Sequence, residues 1–398
     1  MLSVNKNKPT SAWIDYLVQQ FPCEQEVNRI LTRKLNHRAG PGYVPVTLEQ
    51  LAEGTAKLIS GNGYSDFVIS DARWLSGGAS KLQMSFNLTW NTPDEGRTTT
   101  QMVLRMEPPE SISESSRLRE FQVIKAISNI VPVPQAYWVD PDGEFLPYPS
   151  IVYGFAEGAT KPKESPSAVS GVGTFFPPHL RRPLAGQFVK HLAKIHTFDW
   201  ADADLGAFDR PKLGTQAVEW ELNHWERVWE EDSNEDVPLM RLTMVWLRNN
   251  IPPVDHISLV HGDYRTGNFL FTEHDARISA WLDWEMAFLG DRHADLAWAT
   301  NPLLGNLAED GKTFLAGGLI SRDEFFAAYE EASGLPVIPE AVKFYDILGT
   351  YKIIVICLAT GVRIASNGKT HQDVVVGWVV GIAYSLLENL RVRLDEVL

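Results

Sequence analysis

Residues 259–271 read LVHGDYRTGNFLF, and this stretch restricts the fold more than any other. Its apolar flanks, Leu259–Val260 and Phe269–Phe271, have the character of two strands. Between them lie His261, Asp263, Arg265 and Asn268, set among Gly262 and Gly267. A plain turn needs only one or two Gly, Asn or Asp residues. An Asp followed five residues later by an Asn supplies two things that phosphoryl transfer from a nucleotide requires. These are a carboxylate that orients an acceptor hydroxyl and takes its proton, and a neutral oxygen ligand for Mg²⁺. Free hydroxyls are poor nucleophiles, so positioning matters more than basicity.

Mg²⁺ takes oxygen ligands, usually with a second carboxylate among them. Asp283, at the end of the apolar run in AWLDWE, can reach the same edge of a β-hairpin as Asp263 and Asn268. Alone, an HGD tripeptide means little, and an Asp before a turn is commonly a local cap. H-G-D-x-x-x-x-N followed by L-D-W-E is far more specific than any of its parts.

The rest of the chain divides by periodicity. SAWIDYLVQQF, EQEVNRILTRKL and LEQLAEGTAKLI repeat apolar residues every three or four positions, which predicts helices over residues 1–65. From residue 66 the pattern turns to short β-rich runs, FVISDARWL, LQMSFNLTW and TTTQMVLRM. The breaks between them are SGGASK and NTPDEGR, the second a hairpin turn candidate at Asp94–Gly96. A helix, SRLREFQVIKAISNI, and two more strands complete a small antiparallel sheet ending near Gly158. Residues 159–180 are rich in Pro, Ser and Gly, which predicts mobility or a lid. Helical patterns dominate afterwards, interrupted by the opening stretch and by ARISAWLDWEMAFLGD.

Composition removes several classes. A hydrophobic share of 44% with 22% charged residues is ordinary for a globular protein. The formal net charge of −14 argues against a broad nucleic-acid surface, which needs clustered Lys and Arg. Cys23 and Cys357 are the two cysteines, so a disulfide framework or structural zinc site is not expected, and a cytoplasmic setting is. The N-terminus lacks the apolar core of a secretory signal. The most apolar run, Val374–Leu387, is too short to span a bilayer and reads as a buried core helix, so no membrane partner is expected.

Upstream of the loop, SGGASK at 76–81 can bring backbone N–H groups close to phosphate. Arg105 ends an alternating strand, and Glu120 lies on the helix that follows. A strand cation paired to a helical glutamate is the device that fixes nucleotide phosphates, although each alone reads as a surface charge.

Together HGDYRTGN, LDWEMAFLGD and ADLAW, with SGGASK, VLRMEP and REFQVIKAI before them, resemble the aminoglycoside phosphotransferase family of the protein-kinase-like superfamily, whose members include choline kinase-like enzymes. More narrowly they resemble its branch of kinase domains fused to some acyl-CoA dehydrogenases. The resemblance covers residues 66–395. It implies an α+β, bilobal protein-kinase-like fold. Residues 66–157 would form a β-rich nucleotide-binding lobe and 158–398 a mainly helical lobe with the catalytic loop and acceptor site. Residues 1–65 would be a helical extension that covers the small lobe or forms a homodimer contact.

Carried over residue by residue, the resemblance implies ATP and Mg²⁺ as cofactors. Asp263 would be the catalytic base, with Asn268 and Asp283 as metal ligands. Arg105 would hold the α- and β-phosphates, oriented by Glu120. Gly77, Gly78 and Ser80 would lie over the phosphates, and the backbones of Gly154 and Ala156 would meet the adenine. His261 would brace the loop, and Asp295 would cap or tie the helix at DLAW. The sequence departs from the usual kinase pattern in one place, where Arg105 replaces the usual Lys. Arg is always charged and grips phosphate with two hydrogen bonds, so the exchange is compatible with nucleotide binding.

The acceptor is expected to be a small molecule bearing a hydroxyl. Only a dozen residues separate Asp283 from Asp295 and no A-P-E follows, which leaves no room for a peptide-docking segment. AVEWELNHWERVWEEDSNED offers Glu219, Glu221, Glu226, Glu230 and Glu231, acids of the kind that bind polycationic aminoglycosides, and also Trp220, Trp225 and Trp229. Trp225 and Trp229 lie one helical turn apart, either as a core stripe or as a pocket wall. A pocket wall favours an apolar or aromatic alcohol over an aminoglycoside; a hydroxyacyl-type acceptor follows from the resemblance alone. Trp225, Arg265 and Glu285 are the candidate acceptor contacts. The competing reading is a catalytically silent nucleotide-binding pseudokinase with a regulatory role, against which Asp263, Asn268 and Asp283 stand together.

Overall fold

The architecture follows from where each run of residues can bury its apolar face. The computed structural model describes residues 5–75, 81–92, 96–165, 172–371 and 373–398, the side chains of 373–379 excepted. Three helices come first: α1 (Ser11–Gln20), α2 (Gln25–Arg38) and α3 (Leu48–Gly61). Strands β1 (Val68–Trp74), β2 (Leu82–Thr92) and β3 (Gly96–Met106) follow, then α4 (Arg117–Ile127), β4 (Ala136–Asp140) and β5 (Ser150–Gly154). The five strands form one antiparallel sheet in the order β1-β2-β3-β5-β4. The turn candidate at Asp94 and Glu95 lies outside the described residues.

The second lobe opens with α5 (Pro178–His196), α6 (Gln216–Asp232) and α7 (Pro238–Asn249). Two short ribbons follow. Strand β6 (Ile257–Val260) pairs with β9 (Phe288–Asp291), and β7 (Phe269–Thr272) pairs with β8 (Arg277–Trp281). The two flanks of the opening stretch therefore belong to different ribbons, and His261–Asn268 crosses from one to the other. The chain continues through α8 (His293–Ala299), a small sheet of β10 (Asn306–Leu307), β11 (Phe314–Ala316) and β12 (Ile320–Ser321), and α9 (Arg322–Ser333). Helix α10 (Pro339–Ile354) runs through a π-helical stretch, Val355–Gly361, into α11 (Val362–Asn367), and α12 (Asp373–Asp395) ends the chain.

The N-terminal helices are built into both lobes. The capping box of Thr47 and Gln50 starts α3, which lays Leu51, Leu58 and Ile59 on the sheet beside Met84, Phe86 and Leu104. Helix α2 instead places Val27, Ile30 and Leu31 in the core of the helical lobe. Its basic residues are tied there: Lys34 contacts Glu231 at 2.7 Å and Asp232 at 3.1 Å, and Arg38 contacts Glu110 at 2.9 Å and Asp232 at 2.7 Å. These are buried pairs, so removing one partner strands the other charge.

One expectation changes. The described part of α12 is amphipathic, with Ala383, Leu386 and Leu390 buried and Tyr384 exposed, so it is not a fully buried core helix. Among the described residues, one helix is long and apolar enough to cross a membrane, the continuous Pro339–Asn367, and 78% of its most apolar window is buried against the rest of the fold. Residues 166–171 of the expected 159–180 loop lie outside the described residues; on its flanks Ala159 bridges Phe271 in both directions, at 2.9 and 3.0 Å, and Phe176 is buried, while Lys163 and Val172 are exposed.

Candidate active site

The loop between the ribbons is held by its own backbone. His261 N–H and Gly262 N–H donate to the two oxygens of Asp295, at 2.7 and 2.9 Å. Asp295 lies inside α8 and shares a contact with His196 at 3.2 Å, so it ties the helix to the loop rather than capping it. Burial works against its ionisation, yet His196 and the loop amides keep its carboxyl below the usual range. The imidazole of His261 bridges to the Leu282 carbonyl at 3.1 Å, joining the loop to the strand end that carries Asp283. Tyr264 anchors the middle, stacked on Trp281 at 4.2 Å with its hydroxyl donating to Phe188 O. Only glycine fits at 262: its φ is +82°, and a Cβ there would stand 2.3 Å from the Met286 carbonyl oxygen.

Three donors place the Asp263 carboxylate. Trp298 Nε1 donates to Oδ1 at 2.6 Å, and the Asn268 amide donates to Oδ2 at 2.7 Å. Arg265 Nε lies 3.0 and 3.1 Å from the two oxygens. Arg265, expected against the acceptor, is thus a partner of the candidate base.

Arg105 and Glu120 come together as the sequence spacing implied, at 2.8 Å. The same guanidinium reaches Asp283 Oδ1 at 2.5 Å and Glu285 Oε2 at 2.9 Å. Burial disfavours its charge, but Asp283, Glu120 and Glu285 outweigh that and hold it well above the usual arginine range. Burial likewise opposes ionisation of Asp283, and Arg105 reverses the balance, so its carboxyl is lowered. Asp283 sits at φ +66° and ψ +47°, a left-handed conformation costing on the order of 1–3 kcal/mol outside glycine. That backbone turns the residue out of β8 toward Arg105.

The donor set suits a hard divalent cation. The second oxygen of Asp283 and the amide oxygen of Asn268 accept no hydrogen bond among the described residues, and both are oxygen ligands of the type Mg²⁺ prefers. Gly154 N–H donates to the Gln135 carbonyl at 2.8 Å, so any contact of Gly154 with adenine falls to its carbonyl. Ala156 is half-buried beyond the end of β5. Gly77, Gly78 and Ser80 lie outside the described residues.

Sequence reasoning missed Lys81, Glu107 and Arg117. Lys81 Nζ contacts Glu107 at 2.8 Å and Glu285 at 3.4 Å, and Arg117 contacts Glu107 at 3.0 Å and Glu285 at 3.0 Å. All are nearly unexposed, so Glu285 is the buried knot of three cations from the β-rich lobe. The available signal was the Lys that closes SGGASK and the Glu that follows VLRM.

Trp225 is buried and stacked on His224 at 4.9 Å, and it also lines a cavity of about 60 Å³ that opens to solvent. Lys352 Nζ lies 5.3 Å from the Trp225 ring and 5.4 Å from that of Trp298. Trp229 packs against the core and does not line this cavity. The acids of α6 are largely engaged: Glu221 with Lys352, Glu226 with Arg248, and Glu231 with Lys34 and Arg227.

A model of the phosphotransferase enzyme family (APH) matches residues 87–340. Acyl-CoA dehydrogenase family member 10 of Mus musculus is 26% identical over 293 residues, covering 69% of this chain and 26% of that protein. The chain spans 22% to 35% of the length of the curated relatives it matches. A candidate aminoglycoside phosphotransferase from Ralstonia eutropha has a TM-score of 0.59 at 22% identity, over 87% of this chain and 98% of the other. Choline kinase from Cryptosporidium parvum has a TM-score of 0.53 at 13% identity, over 88% and 96%. These likenesses establish the α+β, bilobal kinase-like fold.

Proposed function

The chain belongs to the phosphotransferase enzyme family (APH), and on that premise we propose that it is an ATP- and Mg²⁺-dependent small-molecule kinase. The observation that carries the reading is the bridge from Glu120 through Arg105 to Asp283, at 2.8 and 2.5 Å, beside the triply held Asp263. A phosphate clamp from the sheet and a carboxylate pair from the helical lobe meet across one cleft, as in-line phosphoryl transfer requires.

In the proposed reaction the acceptor oxygen forms a bond to the γ-phosphorus, and the bond from that phosphorus to the β–γ bridging oxygen breaks, releasing ADP. Asp263 Oδ2 or Oδ1 takes the hydroxyl proton. Trp298, Asn268 and Arg265 keep that carboxylate in one orientation. Arg105 exchanges carboxylate partners for the α- and β-phosphates while Glu120 retains its other nitrogen. Asn268 and Asp283 would hold Mg²⁺, which when bound neutralises charge on the phosphates. Asp263 contributes orientation and proton acceptance, about 10²–10⁴-fold in rate.

The acceptor is an apolar or aromatic alcohol, or a hydroxyacyl-type molecule, in preference to an aminoglycoside. A polycation needs unpaired acids, and Glu221, Glu226 and Glu231 are already paired. The setting is cytoplasmic, with no nucleic-acid or membrane partner. The test is Mg²⁺-dependent ATP consumption across aminoglycosides, hydroxylated aromatics, simple alcohols and hydroxyacyl-CoAs, with Asp263→Asn as the blank. Turnover on one class, absent from the variant, supports the kinase. Mg·ATP binding without turnover on any class favours the regulatory pseudokinase.

A further inference from the structure

The cavity beside Trp225 takes part of its wall from segments outside the family match. That match ends at residue 340 and begins at 87. Cys23, Val27 and Ile30 on the outer wall come from the Phe21–Gln25 turn and α2, and Lys352 comes from α10. The inner wall is Trp225 of α6 together with Glu285–Leu289, the segment that follows Asp283.

Two independent contacts put this cavity beside the reacting groups. Met286, on the wall, packs its carbonyl against Gly262, the neighbour of Asp263. Lys352, also on the wall, lies 5.4 Å from the ring of Trp298, whose N–H holds Asp263. Lys352 and Met286 thus tie the cavity wall to residues that position Asp263.

Its chemistry is selective. Val27, Ile30, Trp225 and Leu289 offer apolar surface, and the charged groups among them are paired internally. Glu24 contacts Arg119 at 3.0 Å and Glu221 contacts Lys352 at 3.2 Å. Yet one oxygen of Glu24 and one of Glu221, on residues 8% and 7% exposed, have no hydrogen-bond partner. A ligand with an apolar body suits this lining and leaves its hydroxyl free for transfer.

We infer that the acceptor alcohol binds in this cavity between α2 and α6, so that the N-terminal helix selects which alcohol is phosphorylated. The inference rests on the kinase reading for the word acceptor, but the site can be examined without catalysis. Val27 is the residue to change, since it faces the cavity from α2 and touches neither Asp263 nor the phosphate clamp.

The experiment titrates 2-phenylethanol and 1-octanol calorimetrically into the full chain with Mg²⁺ and a non-hydrolysable ATP analogue, and then measures transfer from labelled ATP to each. Val27→Trp fills the cavity and is expected to weaken alcohol binding by about tenfold or more, with the nucleotide affinity within about twofold of the unaltered chain. Val27→Ala, which widens the cavity, keeps the measurement decisive if the larger substitution fails to fold. It is expected to shift the binding ratio toward 1-octanol by about threefold or more. Equal binding in all three proteins, or no binding to the unaltered chain, overturns the inference. Binding that Val27→Trp abolishes, with no phosphate reaching either alcohol, keeps the cavity as an alcohol site and overturns the kinase reading instead.

Discussion

The His261–Asn268 loop and the cavity beside Trp225 are built in opposite ways. Everything that positions Asp263 from within the loop comes from His261–Asn268, closed by Leu282 and by Asp295 and Trp298 of α8. The cavity is gathered from α2, the segment before α4, α6, the end of the β8–β9 connection and α10. Chemistry common to a family suits a compact local unit, because its distances must hold within fractions of an ångström. Selectivity can be spread over distant elements, where one wall changes without disturbing the loop.

The largest expected effect breaks the comparison on the loop side. Asp263→Asn should lower phosphoryl transfer by about 10²–10⁴-fold in single-turnover assays. Its Mg·ATP affinity should stay close to that of the parent, and an unchanged rate would move the base elsewhere. Next in size is Arg105→Ala, which removes one of the buried cations shared by Glu120 and Glu285 and leaves Arg117 to hold both. Denaturant unfolding should report a loss of about 3–5 kcal/mol. Arg105→Lys should recover part of the stability but not the bridge, because an ammonium lacks the planar fork that spans Glu120 and Asp283.

Asp283→Asn should raise the nucleotide dissociation constant by about tenfold or more when Mg²⁺ is present and far less without it. Equal losses in both conditions would remove Asp283 from the metal. On the cavity side, Trp225→Phe should raise the acceptor KM by about three- to tenfold with the ATP KM unchanged. The milder substitution is needed because truncating a ring only 5% exposed to alanine costs about 3–5 kcal/mol of fold stability.

The smallest effect is one of pH. Burial, with the neighbouring Glu107, raises the Glu114 carboxyl at the cavity to about 7, against the opposing pull of Lys34 and Lys81. A raised acid binds a proton in the folded chain that the unfolded chain has already released. Its contribution to stability is therefore full below the ordinary glutamate range and lost as pH rises through about 7. The urea midpoint should fall between pH 5 and 8, and Glu114→Gln should flatten that fall.

The sheet with one helix, the helical second lobe and the meeting of Arg105 with Glu120 were legible because each depends on a local period or a short separation. The Asp263–Asn268 contact was legible because five residues of one loop cannot be far apart. Lys81 was not, since nothing near it in sequence reveals that Glu285 of the other lobe is its partner. Arg265, expected at the acceptor, is seen paired with its neighbour Asp263, which sequence spacing alone did not reveal. The apolar run at the C-terminus suggested a buried helix, whereas a helix shows which face it buries only once its neighbours are placed.

From the sequence alone came the small sheet with one helix and the loop with its base and metal-ligand candidates, while the kinase-like fold came through the family resemblance. The sheet and the loop rest on periodicity and on residues close in the chain. Tertiary structure alone decided that α2 joins the helical lobe, that Glu221, Glu226 and Glu231 of α6 are paired with cations, and that Trp225 lines a cavity. Each of those is a contact between segments far apart in the chain, and local propensity carries no information about which distant surface a buried face will meet.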